Sequence, residues 1–209
     1  MEPLPNTLSA TALTCVRSER TLFKSLDLSC TEGQCLHVIG ANGSGKSSLL
    51  RILCGLLSAD EGEISWNDNK ILQNAKFQQN LAYIGHKDGL KNELTTAENL
   101  GFYQALVAPR NDDLIDDYLA RMKILSCADQ SVQALSFGQR RRLAFSRLLV
   151  KPFSLWVLDE PFTGIDQEGR DLIEQLCQQH LQDGGMIVLT NHQSLKNSAL
   201  APSLKELNL

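Results

Sequence analysis

One short stretch near the start of the chain limits its fold more than any other feature. It matches the pattern G-x-x-x-x-G-K-[ST], in which small residues precede a lysine and a hydroxyl side chain. An apolar run, Leu36 to Ile39, precedes it, and a segment with helical character, Ser48 to Leu53, follows it. This order of strand, glycine-rich turn and helix is the context that a phosphate-binding loop requires. The stretch consists of Gly40, Ala41, Asn42, Gly43, Ser44, Gly45, Lys46 and Ser47.

The residue types of this loop explain how it would hold a polyphosphate. Its glycines allow backbone conformations that turn successive N–H groups toward one anion. The helix that opens near Lys46 and Ser48 adds free N–H groups and the positive end of its dipole. Lys46 is expected between the β- and γ-phosphates, and Ser47 is expected to offer its hydroxyl to Mg²⁺. The alternative is a glycine-rich turn with a chance lysine, which leaves the flanking strand and helix unexplained.

Length, charge and cysteine usage restrict the class of protein. The chain has 209 residues, 43% of them hydrophobic, which suffices for the core of a single domain over residues 1–209. A net charge of -4 and a pI near 5.6 argue against a nucleic-acid-binding surface. The six cysteines form no C-x-x-C pair, so we expect free thiols in a reducing cytosol. Residues 1–6 do not resemble a signal peptide and no apolar run could span a membrane, so we expect a protein that is soluble or is held at a membrane only by a partner.

Alternating strand and helix patterns predict an α/β fold with a mainly parallel sheet. Leu8 to Val16 and Leu22 to Leu28 alternate apolar and polar residues, which predicts an antiparallel N-terminal sheet. Residues 95–150 have helical spacing, beginning at a capping box of Thr95 and Glu98, and predict an all-helical insert. Further strands are predicted at Glu63 to Trp66, Asn80 to Gly85, Leu155 to Leu158, Met186 to Leu189 and Ser203 to Leu209, and a crossover helix at Asp171 to Leu181.

Two acidic residues end the strand predicted at Leu155 to Leu158. Asp159 would hold Mg²⁺ through its water shell, and Glu160 would orient and polarise an attacking water. Two acids after a strand are also common on surface turns. Here they follow a phosphate-binding loop in an α/β chain, which favours the catalytic interpretation as a Walker B motif.

A third motif, Leu135 to Gln139, resembles the LSGGQ signature of ATP-binding cassette (ABC) ATPases, with Phe137 in place of the first glycine. Ser136 and the N–H groups near Gly138 would stand at a helix start and face a γ-phosphate. The alternative is an ordinary serine N-cap, which is the simpler explanation for an isolated S-x-G. The position between a phosphate-binding loop and a Walker B strand favours the signature.

The resemblance to ABC ATPases covers nearly the whole chain and implies a fold and an assembly. The fold would be that of a P-loop NTPase, with a core of about residues 1–86 and 151–209 and a helical subdomain of about residues 87–150. The assembly would be a head-to-tail homodimer that binds two ATP molecules with Mg²⁺. In such a dimer Ser136, Gly138 and Gln139 of one chain complete the nucleotide site of the other.

The resemblance also assigns roles to single residues. Asp166 falls where an aspartate would contact the opposite subunit. His192 falls where a histidine would touch the γ-phosphate, beside the catalytic Glu160 and Lys46. The arginines of the signature helix are expected to be solvated or to form intersubunit salt links: Arg140, Arg141, Arg142 and Arg147.

Two positions depart from the ABC pattern. The glutamine that usually reaches Mg²⁺ from the loop near residue 85 is replaced by His86, whose imidazole is a poorer ligand for a hard cation. The aromatic residue that usually stacks on adenine is replaced by Arg17. A planar guanidinium can also stack on a ring, so Arg17 either holds the base or is an exposed strand residue.

These departures resemble the haem exporter ATPase family of bacterial cytochrome c maturation, and so do three stretches: Tyr83 to Lys91, Leu94 to Leu100 and Asn191 to Gln193. That resemblance implies integral membrane permease subunits as partners and a peripheral position on the cytoplasmic side of the inner membrane, with no nucleic acid. It implies haem export or haem delivery as the process, although the sequence has no C-x-x-C-H haem motif. Two other functions remain open: the ATPase of an exporter for another substrate, and a soluble ABC ATPase of iron–sulfur cluster assembly.

Overall fold

The computed structural model describes residues 5–109 and 111–209. Met1 to Leu4, which belong to the segment expected not to be a signal peptide, lie outside the described residues. The described part contains two sheets and six α-helices, as an α/β fold requires. All six cysteines are free and buried there, as their spacing predicts.

The N-terminal sheet is antiparallel, which confirms the prediction from the alternating pattern. Strand β1 (Thr7–Arg17) pairs with β2 (Arg20–Thr31). On its other side β1 pairs with a later strand, Glu61–Trp66, which is followed by a short edge strand, Asn69–Lys70. The sheet therefore lies beside the core strands as a separate layer, with the buried side chains of β1 facing the interior.

The second sheet has five parallel strands. In spatial order it begins with Leu81–Ile84, and its next two strands are buried along their whole length, as in sheets covered on both faces. Because the strands are parallel, their carboxyl ends meet at one edge, where ligands bind in such sheets. With the strands of both sheets numbered in chain order after β2, the labels are β3 (Cys35–Ile39), β4 (Glu61–Trp66), β5 (Asn69–Lys70), β6 (Leu81–Ile84), β7 (Leu155–Asp159), β8 (Met186–Thr190) and β9 (Leu204–Asn208). The spatial order of the parallel sheet is β6-β7-β8-β3-β9.

Side chains of β7 alternate between two hydrophobic cores. Leu155 and Val157 pack with the antiparallel sheet and with helix α1 (Lys46–Leu53). Trp156 and Leu158 pack on the other side, with the crossover helix and the helical insert. The parallel sheet is therefore covered on both faces, and its carboxyl edge is fixed from two sides.

The chain between β6 and β7 is helical in its described part. It contains α3 (Thr96–Val107), α4 (Ile115–Arg121) and α5 (Phe137–Ser146). The predicted capping box opens α3: Thr95 Oγ1 accepts a hydrogen bond from the Glu98 N–H at 3.1 Å, and Glu98 Oε2 accepts one from the Thr95 N–H at 2.8 Å. Short 3₁₀ turns lie at Asp112–Leu114, Leu125–Cys127, Val132–Ala134 and Arg147–Leu149. We propose that this insert forms a helical subdomain of about residues 87–150.

Two helices differ from the sequence predictions. Helix α2 (Ala75–Asn80) is not predicted by the pattern; Asn74 caps it by accepting a hydrogen bond from the Phe77 N–H at 3.1 Å. This helix shortens the strand predicted from Asn80. The crossover helix α6 (Gln167–Gln182) begins four residues earlier than predicted, and a last 3₁₀ turn precedes β9. Within the described ranges, no helix combines the length and the apolar character that crossing a membrane requires.

Candidate functional site

The glycine-rich loop joins β3 to α1 at the carboxyl edge of the parallel sheet. Gly45 has a φ of 106°, and a Cβ at this position would lie 2.9 Å from the Cβ of Leu22, so the turn requires glycine. Lys46 begins α1 and is 8% exposed. Its Nζ donates hydrogen bonds to the carbonyl oxygens of Gly40 at 2.8 Å and Ala41 at 3.0 Å. The ammonium group is therefore held within the loop instead of extending into solvent.

A cavity of about 520 Å³ lies over this loop. Four other segments contribute a side chain to it: Leu22 on β2, His86 after β6, Glu160 after β7 and His192 after β8. The fold thus brings together five segments that are separated along the chain. The lining residues are Leu22, Asn42, Gly43, Gly45, Lys46, Ser47, Ser48, His86, Glu160 and His192.

Asp159 ends β7 and is 2% exposed. Its Oδ1 accepts a hydrogen bond from Thr190 Oγ1 at 2.7 Å, whereas its Oδ2 has no partner among the described residues. The hydroxyl oxygen of Ser44 in the loop is likewise buried without a partner in the described structure. Buried polar atoms normally have hydrogen-bond partners, and a carboxylate oxygen is a ligand that Mg²⁺ prefers. The residues present therefore fit a magnesium ion and a phosphate.

Glu160 has a φ of 51°, in the left-handed region that residues other than glycine seldom adopt. Its Oε1 lies 2.8 Å from Nε2 of His192, and its Oε2 accepts a hydrogen bond from Thr163 Oγ1 at 3.3 Å. The carboxylate is thus held in the cavity lining by two side chains from different loops. A carboxylate in this position can accept a proton from a water molecule that attacks a phosphate.

The signature residues form a capping box at the start of α5. Ser136 Oγ accepts a hydrogen bond from the Gln139 N–H at 3.2 Å, and Gln139 Oε1 accepts one from the Ser136 N–H at 2.8 Å. Ser136 is exposed, and neither it nor Gly138 lines the cavity over the chain's own loop. Ser136 is therefore an N-cap, as the alternative interpretation predicts. Because Ser136 is exposed, the start of α5 is also accessible to a second molecule, as the signature interpretation requires.

Phe137 contacts a neighbouring loop. Its side chain is 56% exposed, and a Cβ added to Gly164 would lie 2.5 Å from Cε1 of its ring. Two residues later, Asp166 caps α6: its Oδ1 accepts hydrogen bonds from the Gly169 N–H at 2.8 Å and from Arg142 Nη2 at 3.2 Å. The bond from the Gly169 N–H, with help from Arg142, lowers the pKa of Asp166.

Arg17 is not among the residues that line the cavity. Its guanidinium donates hydrogen bonds to the carbonyl oxygens of Val16 at 2.6 Å and Ser58 at 3.0 Å, and pairs with Asp60 at 3.2 Å. These contacts tie the end of β1 to the loop before β4. They match the alternative in which Arg17 is a strand residue, and adenine stacking remains a prediction.

The structure corrects the expectation for the arginines of α5. Arg141 is only 3% exposed and donates hydrogen bonds to Asp88 and to three backbone carbonyl oxygens. Arg142 pairs with Asp166 and Glu168 of its own chain. The sequence did contain a signal for Arg141, because the residues at i+3, i+4 and i+7 are apolar and share its helix face. These residues, Ala144, Phe145 and Leu148, are all buried.

Comparisons with known proteins found a matching family model, named relatives and a solved structure of the same fold. The family model described as ABC transporter matches residues 23–163. A Yersinia pseudotuberculosis protein named cytochrome c biogenesis ATP-binding export protein CcmA is 44% identical over 189 residues, which cover 90% of this chain and 87% of that protein. The Haemophilus influenzae protein of the same name is 43% identical over 204 residues, or 97% and 94% of the two chains. A solved ABC transporter ATP-binding protein from Pyrococcus furiosus has the same fold, with a TM-score of 0.82 at 20% identity over 97% of each chain.

Proposed function

Because the chain belongs to the ABC transporter family, we propose that it is the ATP-hydrolysing subunit of an export complex in c-type cytochrome biogenesis. The observation that carries the proposal is the cavity in which the glycine-rich loop, Glu160 and His192 meet. The cytochrome role draws its support from relatives of that name that align with nearly the full length of this chain.

ATP is the proposed ligand of the cavity over the glycine-rich loop, with its phosphates bound by Gly40 to Ser48. Lys46 would bind the β- and γ-phosphates. Ser47 and Asp159 would hold Mg²⁺, which neutralises charge on the phosphates when bound. The Oδ2 atom of Asp159, which has no hydrogen-bond partner in the described part of the chain, supports this assignment. His86 lines the same cavity and is exposed, so it would be an additional but weaker ligand.

Glu160 is the proposed general base. Its carboxylate would take a proton from the attacking water, and His192, whose Nε2 lies 2.8 Å from it, would contact the γ-phosphate and fix the direction of the carboxylate. Lys46 would stabilise the charge that develops on the transferred phosphate. This division of roles places binding in the loop and proton transfer in the segments after β7 and β8.

A head-to-tail homodimer is the proposed active form. Ser136, Gly138 and Gln139 would close over the nucleotide of the partner, and Asp166 would contact the partner chain. The exposure of Ser136 and of the Asp166 side chain, which is 68% exposed, is compatible with such contacts. Each chain would then supply half of two sites.

We further propose that the dimer binds integral membrane permease subunits of the cytochrome c maturation complex. It would lie on the cytoplasmic side of the inner membrane, with the helical insert as the contact, and would support haem export or the release of a haem carrier. The resemblance of the departures at Arg17 and His86 to the haem exporter ATPase family supports this narrower assignment.

A pull-down from membranes tests the proposal. The full-length chain carrying Glu160→Gln is affinity-purified from detergent-solubilised membranes, with Lys46→Ala as the matched control that should not bind ATP. We expect integral membrane proteins of cytochrome c biogenesis, together with haem detected by its absorption. Membrane partners that serve another exported substrate would contradict the cytochrome role. Recovery of soluble iron–sulfur assembly proteins alone would contradict the transport role.

A further inference from the structure

We propose that Arg141 is a positioning residue that holds Glu160 in its catalytic conformation. The inference rests on the proposed function, because it concerns the base of the ATPase reaction. It assigns a task to a side chain that none of the nucleotide-binding motifs requires. Arg141 would touch neither ATP nor water; it would act only through the backbone of the Walker B residues.

The backbone of Glu160 needs support from its surroundings. Its φ of 51° is unfavourable for a side chain with a β-carbon, and such conformations persist only where neighbouring groups enforce them. On the amide side, the Glu160 N–H donates a hydrogen bond to Thr190 Oγ1 at 3.0 Å. On the carbonyl side, Arg141 Nη2 donates to the Glu160 oxygen at 3.0 Å and to the Asp159 oxygen at 3.1 Å. The strained residue is thus fixed on both sides.

The other half of the guanidinium is anchored in the loop after β6. Nη1 donates hydrogen bonds to Asp88 Oδ1 at 2.8 Å and to the Gly85 carbonyl oxygen at 3.2 Å. The Asp88 side chain is 16% exposed, so this ion pair is largely shielded from water and fixes the plane of the guanidinium. Arg141 therefore ties the His86 loop and α5 to the Walker B residues through one rigid group.

The geometry requires arginine and not merely a positive charge. Two nitrogens of a planar fork serve four oxygen atoms, which lie in two separate segments of the chain. A lysine ammonium carries its three donors on one atom at the end of a flexible stem and cannot span both segments. Arg141→Lys should therefore keep the ion pair with Asp88 and lose the support of Glu160.

The test compares Arg141→Lys with Arg140→Lys in the full-length chain. Among the described residues, the hydrogen bonds of the Arg140 guanidinium go to the carbonyl oxygens of Gln133 and Leu135 in its own segment, so the control makes the same change one position away. ATP hydrolysis gives kcat and KM, binding of a fluorescent ATP analogue gives Kd, and thermal unfolding reports the fold. We expect Arg141→Lys to lower kcat about 10- to 100-fold with Kd changed less than about threefold, because misplacing a catalytic group by about 1 Å has effects of that size. Arg140→Lys should stay within about twofold of the wild type.

Other results would overturn the inference. Wild-type kcat in a folded Arg141→Lys variant would do so, and so would a parallel loss of kcat and nucleotide binding, which a general structural role predicts. If Arg141→Lys does not fold, Asp88→Asn decides, because asparagine keeps a neutral oxygen near Nη1 but removes the ion pair. A kcat loss with unchanged Kd supports the inference, and an unchanged kcat overturns it. A wild-type chain that does not hydrolyse ATP would instead overturn the proposed function itself.

Discussion

The contact between Phe137 and Gly164 gives a prediction whose size can be worked from the structure. An alanine at position 164 would place its Cβ 2.5 Å from Cε1, 3.1 Å from Cδ1 and 3.2 Å from Cζ of the Phe137 ring. Carbon atoms pack best at about 3.5–4.0 Å, so the ring must move by about 1 Å. In addition, Gly164 has a φ of 73°, and a side chain there costs about 1–2 kcal/mol whatever the space.

The cost of the contact with the Phe137 ring can be separated from the cost of the positive φ, because the ring can change its rotamer. Phe137 is 56% exposed, so the ring can turn toward solvent, and an off-rotamer side chain costs about 0.5–1.5 kcal/mol. Gly164→Ala should therefore destabilise the wild-type chain by about 1.5–3.5 kcal/mol, the sum of both costs. In a Phe137→Ala background only the backbone cost of about 1–2 kcal/mol remains.

Urea unfolding without nucleotide measures this double-mutant cycle for four proteins: the wild type, Gly164→Ala, Phe137→Ala and the double mutant. We expect a coupling energy of about 0.5–1.5 kcal/mol, with Gly164→Ala less harmful once the ring is absent. The m-values should agree among the variants, so that the midpoints report stability. A coupling energy below about 0.3 kcal/mol would refute the contact, because sites without shared partners are additive to that extent.

Three further predictions concern the site and the fold. Lys46→Ala should raise the Kd for ATP at least about tenfold without unfolding the chain, measured with a fluorescent ATP analogue and circular dichroism, because a charge-assisted phosphate contact is lost. Glu160→Gln should bind ATP as the wild type does but release phosphate about 10²- to 10⁴-fold more slowly, which is the usual contribution of a general base. With ATP it should elute as a dimer in size-exclusion chromatography, and a wild-type rate of hydrolysis would show that the base is misassigned. Burial lowers the pKa of His180 from 6.5 to about 4, so its neutral form stabilises the fold above pH 6.5 and this stability is lost as the pH falls toward 4. In urea unfolding, His180→Gln should therefore lose about 2 kcal/mol less than the wild type between pH 7 and pH 5, and equal losses would contradict the assignment.

The parts of the site that sequence reasoning found are those whose chemistry is local. The loop from Gly40 to Ser47 and the cap at Thr95 each need a few neighbouring residues in fixed order, and so their patterns are visible without the fold. The parallel sheet then places Asp159 and His192 at the same edge as the loop, because parallel strands share the direction of their carboxyl ends. Local motifs and one topological rule predict the loop and the acidic strand end at this edge, whereas His86 and His192 were assigned only through the resemblance to ABC ATPases.

What the sequence did not predict depends on contacts between distant segments. Arg141 is bonded to residues 18 to 56 positions away, and no pattern within α5 identifies these carbonyl partners. Its neighbours Arg140 and Arg142 have the same charge but point to other surroundings. The left-handed backbone of Glu160 was equally hidden, since a glutamate in sequence gives no sign of a positive φ. The apolar face of α5 indicates the burial of Arg141, but its hydrogen-bond partners and the φ of Glu160 become visible only when helix and strand are packed together.

These two features together connect the helical insert to the chemistry of the site. Arg141 lies on α5 of the insert, and its Nη2 bonds end on the carbonyl oxygens of Asp159 and Glu160 in the core. A movement that carries α5 away from β7 must therefore lengthen these bonds, and it removes one of the two supports of an unfavourable backbone conformation. The support from Thr190 stays, because β8 belongs to the same sheet as β7. We therefore expect the position of the insert to be communicated to Glu160 through one side chain, without any change in the phosphate-binding loop.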